Sequence, residues 1–219
     1  MLNFYGRKSP RRLKKKDVLS LFNNSFFFHH ENINTFNKVC LDNLTLNLEI
    51  GFGSGENILK GAKNKNGEIF IGCDPYLKGA LFLKKKIEFF GLKNLILTNL
   101  SFQEFFKYIK NFSFKKILIL FPDPWPKKRH RKRRLINKFF LKNLFEISNK
   151  TTNIIISSDD ENYINEILYK FHLDKNFILS TSFFGEKLIK TFDLEETKYY
   201  KKANKNKRKT YFFLYNVKK

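Results

Sequence analysis

Short apolar runs bounded by turn residues recur along the chain, at 44–52, 68–73, 94–99, 116–121, 153–157, 177–184 and 210–215, and several are rich in Ile, Leu and Phe. Their length and composition predict seven β-strands. Between them the spacing changes to that of helices. Leu77, Ala80, Leu83, Ile87 and Phe90 share one helical face, as do Ile136, Phe140, Leu144 and Ile147, and then Ile164, Ile167, Leu168 and Phe171. Ser101-x-x-Glu104 and Ser158-x-x-Glu161 have the form of capping boxes directly after predicted strands. Strand and helix alternate for at least four cycles, which predicts a mainly parallel sheet covered on both faces, with ligands at the carboxyl ends of its strands. Residues 1–40 are basic and then rich in Phe and Asn, with no convincing period. They read as a basic N-terminal extension to a single domain over 41–219.

Composition narrows this picture. The chain has 219 residues, 42% hydrophobic and 29% charged, which fills one domain and excludes a disordered tail or a disulfide-stapled peptide. Lys and Arg number 43 against 20 Asp and Glu, a formal charge of +23 that attracts polyanions, nucleic acid first among them. Lysine is discounted here, because Phe, Lys, Asn and Ile abound while Ala is scarce, as in a chain encoded by AT-rich DNA. Arginine is not: of eight, seven fall in two clusters, Arg7, Arg11 and Arg12, then Arg129, Arg131, Arg133 and Arg134. Cys40 and Cys73 lie far apart without CxxC spacing, which points to a reducing, cytoplasmic setting. No secretory leader, no membrane-spanning run and no metal-ligand spacing of His29, His30, His130 or His172 is present, so neither a membrane nor a metal is expected.

The first predicted strand runs into Gly51-Phe52-Gly53-Ser54-Gly55, where glycines let backbone approach a ligand. Glu56 stands where the dinucleotide fingerprint needs a further glycine, and Glu49 and Glu56 flanking the loop disfavour a diphosphate. A cationic nucleoside suits it better. S-adenosylmethionine carries a sulfonium and an ammonium, which a carboxylate at Glu49 attracts. Asp74, 23 residues beyond Gly51 at the end of the second strand, is placed to accept both ribose hydroxyls. After the third strand Asn99 or Ser101 could reach the adenine edge, with helix capping as the competing role for Ser101.

The fourth strand ends in Phe121-Pro122-Asp123-Pro124-Trp125-Pro126, a proline-stiffened turn that presents a carboxylate and an indole at the ligand edge. Trp125 could stack on a base or pack the turn. Lys127 to Arg134 follow, seven Lys and Arg in eight residues, and guanidinium forks match phosphate geometry. The other readings of such a run are a solvated charge patch or a localisation signal.

These motifs, 48–55, 72–74 and above all 121–134, resemble the bacterial tRNA (guanine-N7-)-methyltransferase family, and the likeness extends from Tyr5-Gly6-Arg7-Lys8 to the C-terminus. The resemblance implies a Rossmann-like class I S-adenosylmethionine-dependent methyltransferase fold with a seven-stranded sheet, and methyl transfer to guanine N7 at position 46 of the tRNA variable loop. By the same resemblance Glu49, Gly51, Gly53, Asp74, the Asn99/Ser101 region and Asp123 serve the methyl donor, with Asp123 also catalytic. Lys127, Arg129, Arg131, Arg133 and Arg134 would contact tRNA, while Asp159, Thr197 and Lys198 would complete the guanine site. Asp159 has a second reading as a helix cap. Two positions depart from the family pattern: Ser101 stands where Asp is common, and Tyr200 where an acid is usual.

Guanine N7 is a free lone pair, so its methylation needs no general base, only proximity and alignment. Asp123 could accept hydrogen bonds from guanine N1–H and the 2-amino group, and offset charge developing on the ring. An adenine amino methyltransferase is the second enzymatic reading, from the faint echo of Asp-Pro-Pro-aromatic in Asp123-Pro124-Trp125. A non-catalytic RNA-binding protein on the same fold is the third, and an NAD-linked oxidoreductase the fourth. A monomer or a homodimer would serve the leading function equally.

Overall fold

All seven apolar runs are strands in the computed structural model of the chain, which describes residues 13–38, 44–184 and 187–219. Arg7, Arg11, Arg12, Cys40 and the Tyr5–Lys8 motif lie outside the described residues. An eighth strand joins the expected seven. It is β1 (Phe27–Phe28), and the others are β2 (Thr45–Ile50), β3 (Glu68–Cys73), β4 (Leu95–Thr98), β5 (Lys116–Leu120), β6 (Asn153–Ser158), β7 (Phe177–Phe184) and β8 (Tyr211–Val217).

The chain forms two compact units, Met1–Asn111 and Phe112–Lys219. In the first, four parallel strands lie in the order β1-β4-β3-β2. Helices α1 (Lys15–Phe22), α2 (Glu56–Asn64), α3 (Leu77–Phe90) and α4 (Phe102–Ile109) accompany them. The face predicted for 77–90 is the buried one: Ala80, Leu83 and Ile87 join Ile58, Phe70, Leu95 and Leu97 in one core, although Phe90 at the helix end is exposed. Ser101 and Glu104 form the expected capping box at the start of α4.

Part of the expected extension is buried in this unit: Leu21 and Phe27 join the same core, and Phe36 meets Phe28 and Phe105 edge-on. Leu21 of α1, Phe27 of β1 and Phe36 of a 3-10 turn (Ile33–Lys38) are fully buried, and burying such side chains contributes about 1.5–3 kcal/mol each. A two-residue strand and a 3-10 turn are too short to show a period, which is why hydrophobic spacing misses them.

In the second unit β5 and β6 are parallel, β8 runs antiparallel to β6, and β7 antiparallel to β8 with an irregularity between Leu179 and Thr181. Helices α5 (Lys138–Glu146), α6 (Glu161–Leu173), α7 (Lys187–Thr191) and α8 (Lys198–Lys205) complete it. The predicted Ser158-x-x-Glu161 capping box does not form. Strand β6 stays paired through Ser158, opposite Tyr211, so the helix starts later and Asp160 caps it, accepting from the Tyr163 amide at 2.8 Å. Among the described residues no helix is long and apolar enough to cross a membrane.

Candidate functional site

In the first unit the register sets Glu49 beside Gly72, Ile50 beside Cys73, and Cys73 beside Thr98, so the carboxyl ends of β2, β3 and β4 finish level. Backbone bonds continue past the strands. The Gly51 amide donates to Cys73 O at 2.8 Å and the Asp74 amide to Thr98 O at 3.1 Å. Beyond β2 the chain turns through Gly51 (φ +77°), Gly53 (φ +54°) and Gly55 (φ +76°), left-handed conformations that favour glycine. A Cβ at Gly51 or Gly53 would meet nothing within 4 Å, so this side of the loop is open for a ligand.

Asp74 organises the loop. Its Oδ2 accepts from the Gly53 amide at 2.8 Å and its Oδ1 from the Tyr76 amide at 2.9 Å, and a carboxylate with about four lone-pair sites keeps acceptor capacity beyond those two bonds. Asp74 and Glu49 are both buried, at 8% and 4% exposure. The field they make is visible at Cys73. Burial first, then Asp74 and Glu49, push its thiol far above the ordinary range, so it stays protonated and inert. A negative, glycine-floored cradle fits a cationic nucleoside and repels a diphosphate. Asn99, just past β4, has a buried Oδ1 without a hydrogen-bond partner. Ser101 takes the capping role instead: its Oγ donates to Glu104 Oε2 at 2.6 Å and accepts from the Glu104 amide at 3.3 Å.

Sequence reasoning did not single out Gly79, the third residue of α3. A Cβ there would lie 1.8 Å from Gly53 O, so the helix rests directly on the glycine loop. The available signal was a glycine inside a helical pattern, which often marks close backbone approach.

In the second unit β5 delivers the chain to the proline-rich turn. Phe121 (φ +50°) and Trp125 (φ +42°) both sit in the left-handed region, which costs a non-glycine residue about 1–3 kcal/mol. Local contacts hold each. The Phe121 amide donates to Ser157 O at 3.0 Å and its ring meets Phe212 edge-on at 6.0 Å. The Arg133 guanidinium lies 4.9 Å over the Trp125 ring, whose neighbour on an edge is His130 at 5.9 Å. Trp125 therefore packs the turn. Asp123 is exposed at its rim, yet atoms crowding the turn desolvate its carboxyl and raise its pKa above the ordinary value.

Lys127 and the 3-10 segment Lys128–Arg133 carry the cationic run. Lys127, Lys128, Arg129 and Lys132 are exposed, and Arg131 and Arg133 half-buried. Desolvation and then the cations Arg133, Arg129, Lys127 and Lys132 keep His130 below the ordinary imidazole pKa, hence neutral, and its Nε2 accepts from Arg129 Nε at 3.3 Å. Arg134 departs from the expected RNA-facing row, because its guanidinium is buried and bound to carbonyl and carboxylate groups inside the unit.

Asp159 is not the cap of α6; it pairs with Arg208 at 2.8 Å. Arg208 is the arginine outside both clusters, and only the folded arrangement reveals its partner. Thr197 caps α8, accepting from the Tyr200 amide at 3.1 Å, and Lys198 is exposed on the first turn. Tyr200 is core: it is 1% exposed and packs with Leu118, Phe121 and Phe212, so that position supplies no acid. Among the described residues no cluster of three or more His, Cys, Asp or Glu is arranged to hold a metal ion.

Residues 43–213 match the family model described as "Putative methyltransferase". A tRNA (guanine-N(7)-)-methyltransferase of Wolbachia pipientis wMel is 37% identical over 78% of this chain and 74% of its own length. One from Neorickettsia sennetsu is 31% identical over 76% and 73%. Among solved structures, that of the 16S rRNA methyltransferase KamB covers 88% of this chain and 95% of its own with a TM-score of 0.58 at 10% identity, a likeness of fold.

Proposed function

Because the chain belongs to the tRNA (guanine-N7-)-methyltransferase family, we propose that it transfers the methyl group of S-adenosylmethionine to N7 of a guanine in tRNA, at position 46 of the variable loop. The observation that carries this reading is Asp123: an exposed carboxylate on a turn between the left-handed residues Phe121 and Trp125, directly ahead of the cationic run. S-adenosylmethionine supplies an electrophilic methyl on a sulfonium, so the N7–carbon bond forms as the sulfur–carbon bond breaks, leaving S-adenosylhomocysteine and a cationic guanine ring.

The residues of the first unit serve the donor. Glu49 attracts its positive charge, Asp74 accepts the ribose hydroxyls, Gly51 and Gly53 let backbone approach, and Asn99 offers its buried amide oxygen to the adenine edge. Ser101 borders the adenine edge, its hydroxyl and its amide both being engaged in the cap of α4. Asp123 serves donor and acceptor alike, and the residues that follow it serve the acceptor. Asp123 accepts from guanine N1–H and the 2-amino group, orients N7, and stabilises the ring as it becomes cationic. Adenine offers no such donor pair, so the carboxylate also selects the base. Asp159, Thr197 and Lys198 complete the guanine site, and Lys127, Arg129, Arg131 and Arg133 bind tRNA phosphates. No proton must leave N7 before attack, so alignment supplies the catalysis, up to about 7–11 kcal/mol in the best-oriented reactions. A tRNA substrate suits a cytoplasmic enzyme, and a monomer or a homodimer would serve this reaction equally.

Incorporation of labelled methyl from S-adenosylmethionine into unmodified tRNA, followed by borohydride and aniline cleavage, tests the reading. Cleavage at position 46, abolished when that guanine is replaced, is the expected result. Tight tRNA binding without methyl transfer would overturn it in favour of a binding protein.

A further inference from the structure

Arg134 ends the cationic run but shares nothing of its solvent exposure. Its side chain is fully buried. Its Nε donates to the carbonyl of Pro124 at 2.7 Å, the residue between Asp123 and Trp125 on the candidate guanine-binding turn. The other end of the guanidinium faces α6: Nη1 pairs with Glu166 Oε2, and both terminal nitrogens lie 3.4 Å from Asn162 Oδ1. The group stacks 4.6 Å over the Tyr163 ring. Each nitrogen of the fork is thereby committed to the protein, and no face of it is turned to a phosphate.

The same helix also anchors the chain where it leaves the run. Lys170 pairs with Glu166 and donates to Ile136 O at 2.7 Å, and the Tyr163 hydroxyl accepts from the Ile136 amide at 3.2 Å. The segment that carries the exposed cations is thus suspended between two fixed points on α6, one at Pro124 through Arg134 and one at Ile136. Burial alone would raise the Glu166 carboxyl, but the hydrogen bonds from Lys170 and Arg134 outweigh it and hold the group below its ordinary value.

We propose that Arg134 and Glu166 are positioning residues for the methyl-transfer site, a latch that fixes the turn presenting Asp123, rather than members of the tRNA-binding surface. The catalytic part of the proposal rests on Asp123 binding guanine; the latch itself does not. Arginine is required because a planar fork reaches Pro124 O and Glu166 at once, whereas a lysine point charge can serve only one of them.

The chain contains one tryptophan, Trp125, beside nine tyrosines, so emission excited at the red edge, where tyrosine does not absorb, reports the turn alone. Arg134→Lys and Glu166→Gln are compared with wild type by acrylamide quenching of that emission, with far-UV circular dichroism as the measure of folding. Glu166 is partly exposed, which makes its isosteric replacement the variant that keeps its fold if Arg134→Lys does not. Both variants are expected to show faster quenching at unchanged circular dichroism. Each is also expected to lose about 10- to 100-fold in single-turnover methyl transfer, the scale set by sub-ångström to 1 Å misplacement of a reacting group. Their tRNA affinity and its salt dependence stay at wild-type values. Unchanged quenching in Glu166→Gln overturns the latch whatever the activity does. So does a salt slope of tRNA binding that falls by about one unit in Arg134→Met, which removes the cation, the mark of a phosphate no longer neutralised. Faster quenching in a protein whose wild type transfers no methyl to tRNA leaves the latch standing and removes the proposed function.

Discussion

Replacing Gly79 by alanine tests whether α3 and the glycine loop act as one body. The added Cβ would stand 1.8 Å from Gly53 O and 2.9 Å from Gly53 C, whereas real Cβ contacts essentially never fall under 3.0 Å. Helix and loop must therefore part by more than 1 Å, and the obstacle is backbone, which cannot rotate aside as a side chain would. Two effects oppose each other in stability. Alanine in place of glycine favours a helix by about 0.8–1 kcal/mol, while overpacking costs about 1–3 kcal/mol, so the fold is weakened by at most about 2 kcal/mol and survives. Donor binding is affected more. Gly53 is tied to Asp74 by its amide, so displacing it turns the carboxylate from the ribose hydroxyls it is proposed to accept, and a hydrogen bond to a charged group is worth about 1.5–3 kcal/mol. At about 1.4 kcal/mol per factor of ten, the dissociation constant for S-adenosylmethionine, measured by titration calorimetry, rises roughly 10- to 100-fold, while urea unfolding shows a modest loss. A more stable protein with unchanged donor affinity would refute the reasoning, because it would mean that the loop moves without consequence for the cradle.

Asp123→Asn should abolish methyl transfer while leaving tRNA affinity at the wild-type level, checked by filter binding beside the labelled-methyl assay; parallel loss of both would remove Asp123 from the guanine site. Since desolvation raises its pKa, the ionised form is disfavoured in the folded protein, and Asp123→Asn is expected to melt no lower than wild type. The same raised pKa puts the acid limb of single-turnover methyl transfer above pH 3.8, the group's ordinary value, and a limb at or below it would contradict the carboxylate's role. Glu166 behaves oppositely. Its lowered pKa gives stability that is fully present above 4.5 and lost as pH falls through its folded value, so the acid dependence of melting is expected to flatten in Glu166→Gln. Arg131→Ala together with Arg133→Ala should weaken tRNA binding and reduce its salt slope by about one unit for each phosphate left without its cation, measured by titrations across ionic strength; an unchanged slope would place the run off the RNA path.

The strands were legible because each is a run of aliphatic residues closed by turn formers, a pattern a buried parallel strand can hardly avoid. Glu49, the glycine loop and Asp74 were legible for a related reason: strand ends in register bring residues at fixed spacing to one edge. What escaped depends on contacts between distant segments. Leu21, Phe27 and Phe36 lie in pieces too short to show a period, and only their burial makes them core. At the start of α6, Ser158, Asp159 and Asp160 are all good caps by type; the pairing of Ser158 with Tyr211 decides for Asp160, and Arg208 takes Asp159. Gly79 looks like any helix glycine until Gly53 O is placed beneath it.

The cationic run shows the limit of composition most clearly. Sparse, clustered arginines weigh more than abundant lysines in a sequence, yet the described arginines divide by task. Arg134 is spent on Pro124 and Glu166, Arg208 on Asp159, and Arg133 covers the Trp125 ring. Exposed charge next to the turn comes equally from Lys127, Lys128 and Lys132, the residue type that a biased composition makes easiest to dismiss. Under the proposed function part of the phosphate attraction falls to lysines, which act as point charges without a bidentate fork. Arg134 serves instead to hold the turn that carries Asp123, whereas Arg133, half-buried over the Trp125 ring, remains beside the exposed cations. That division follows from the chemistry: a polyanion can be held by any cations in range, but orienting one nitrogen of one base toward a methyl group requires a turn that does not move.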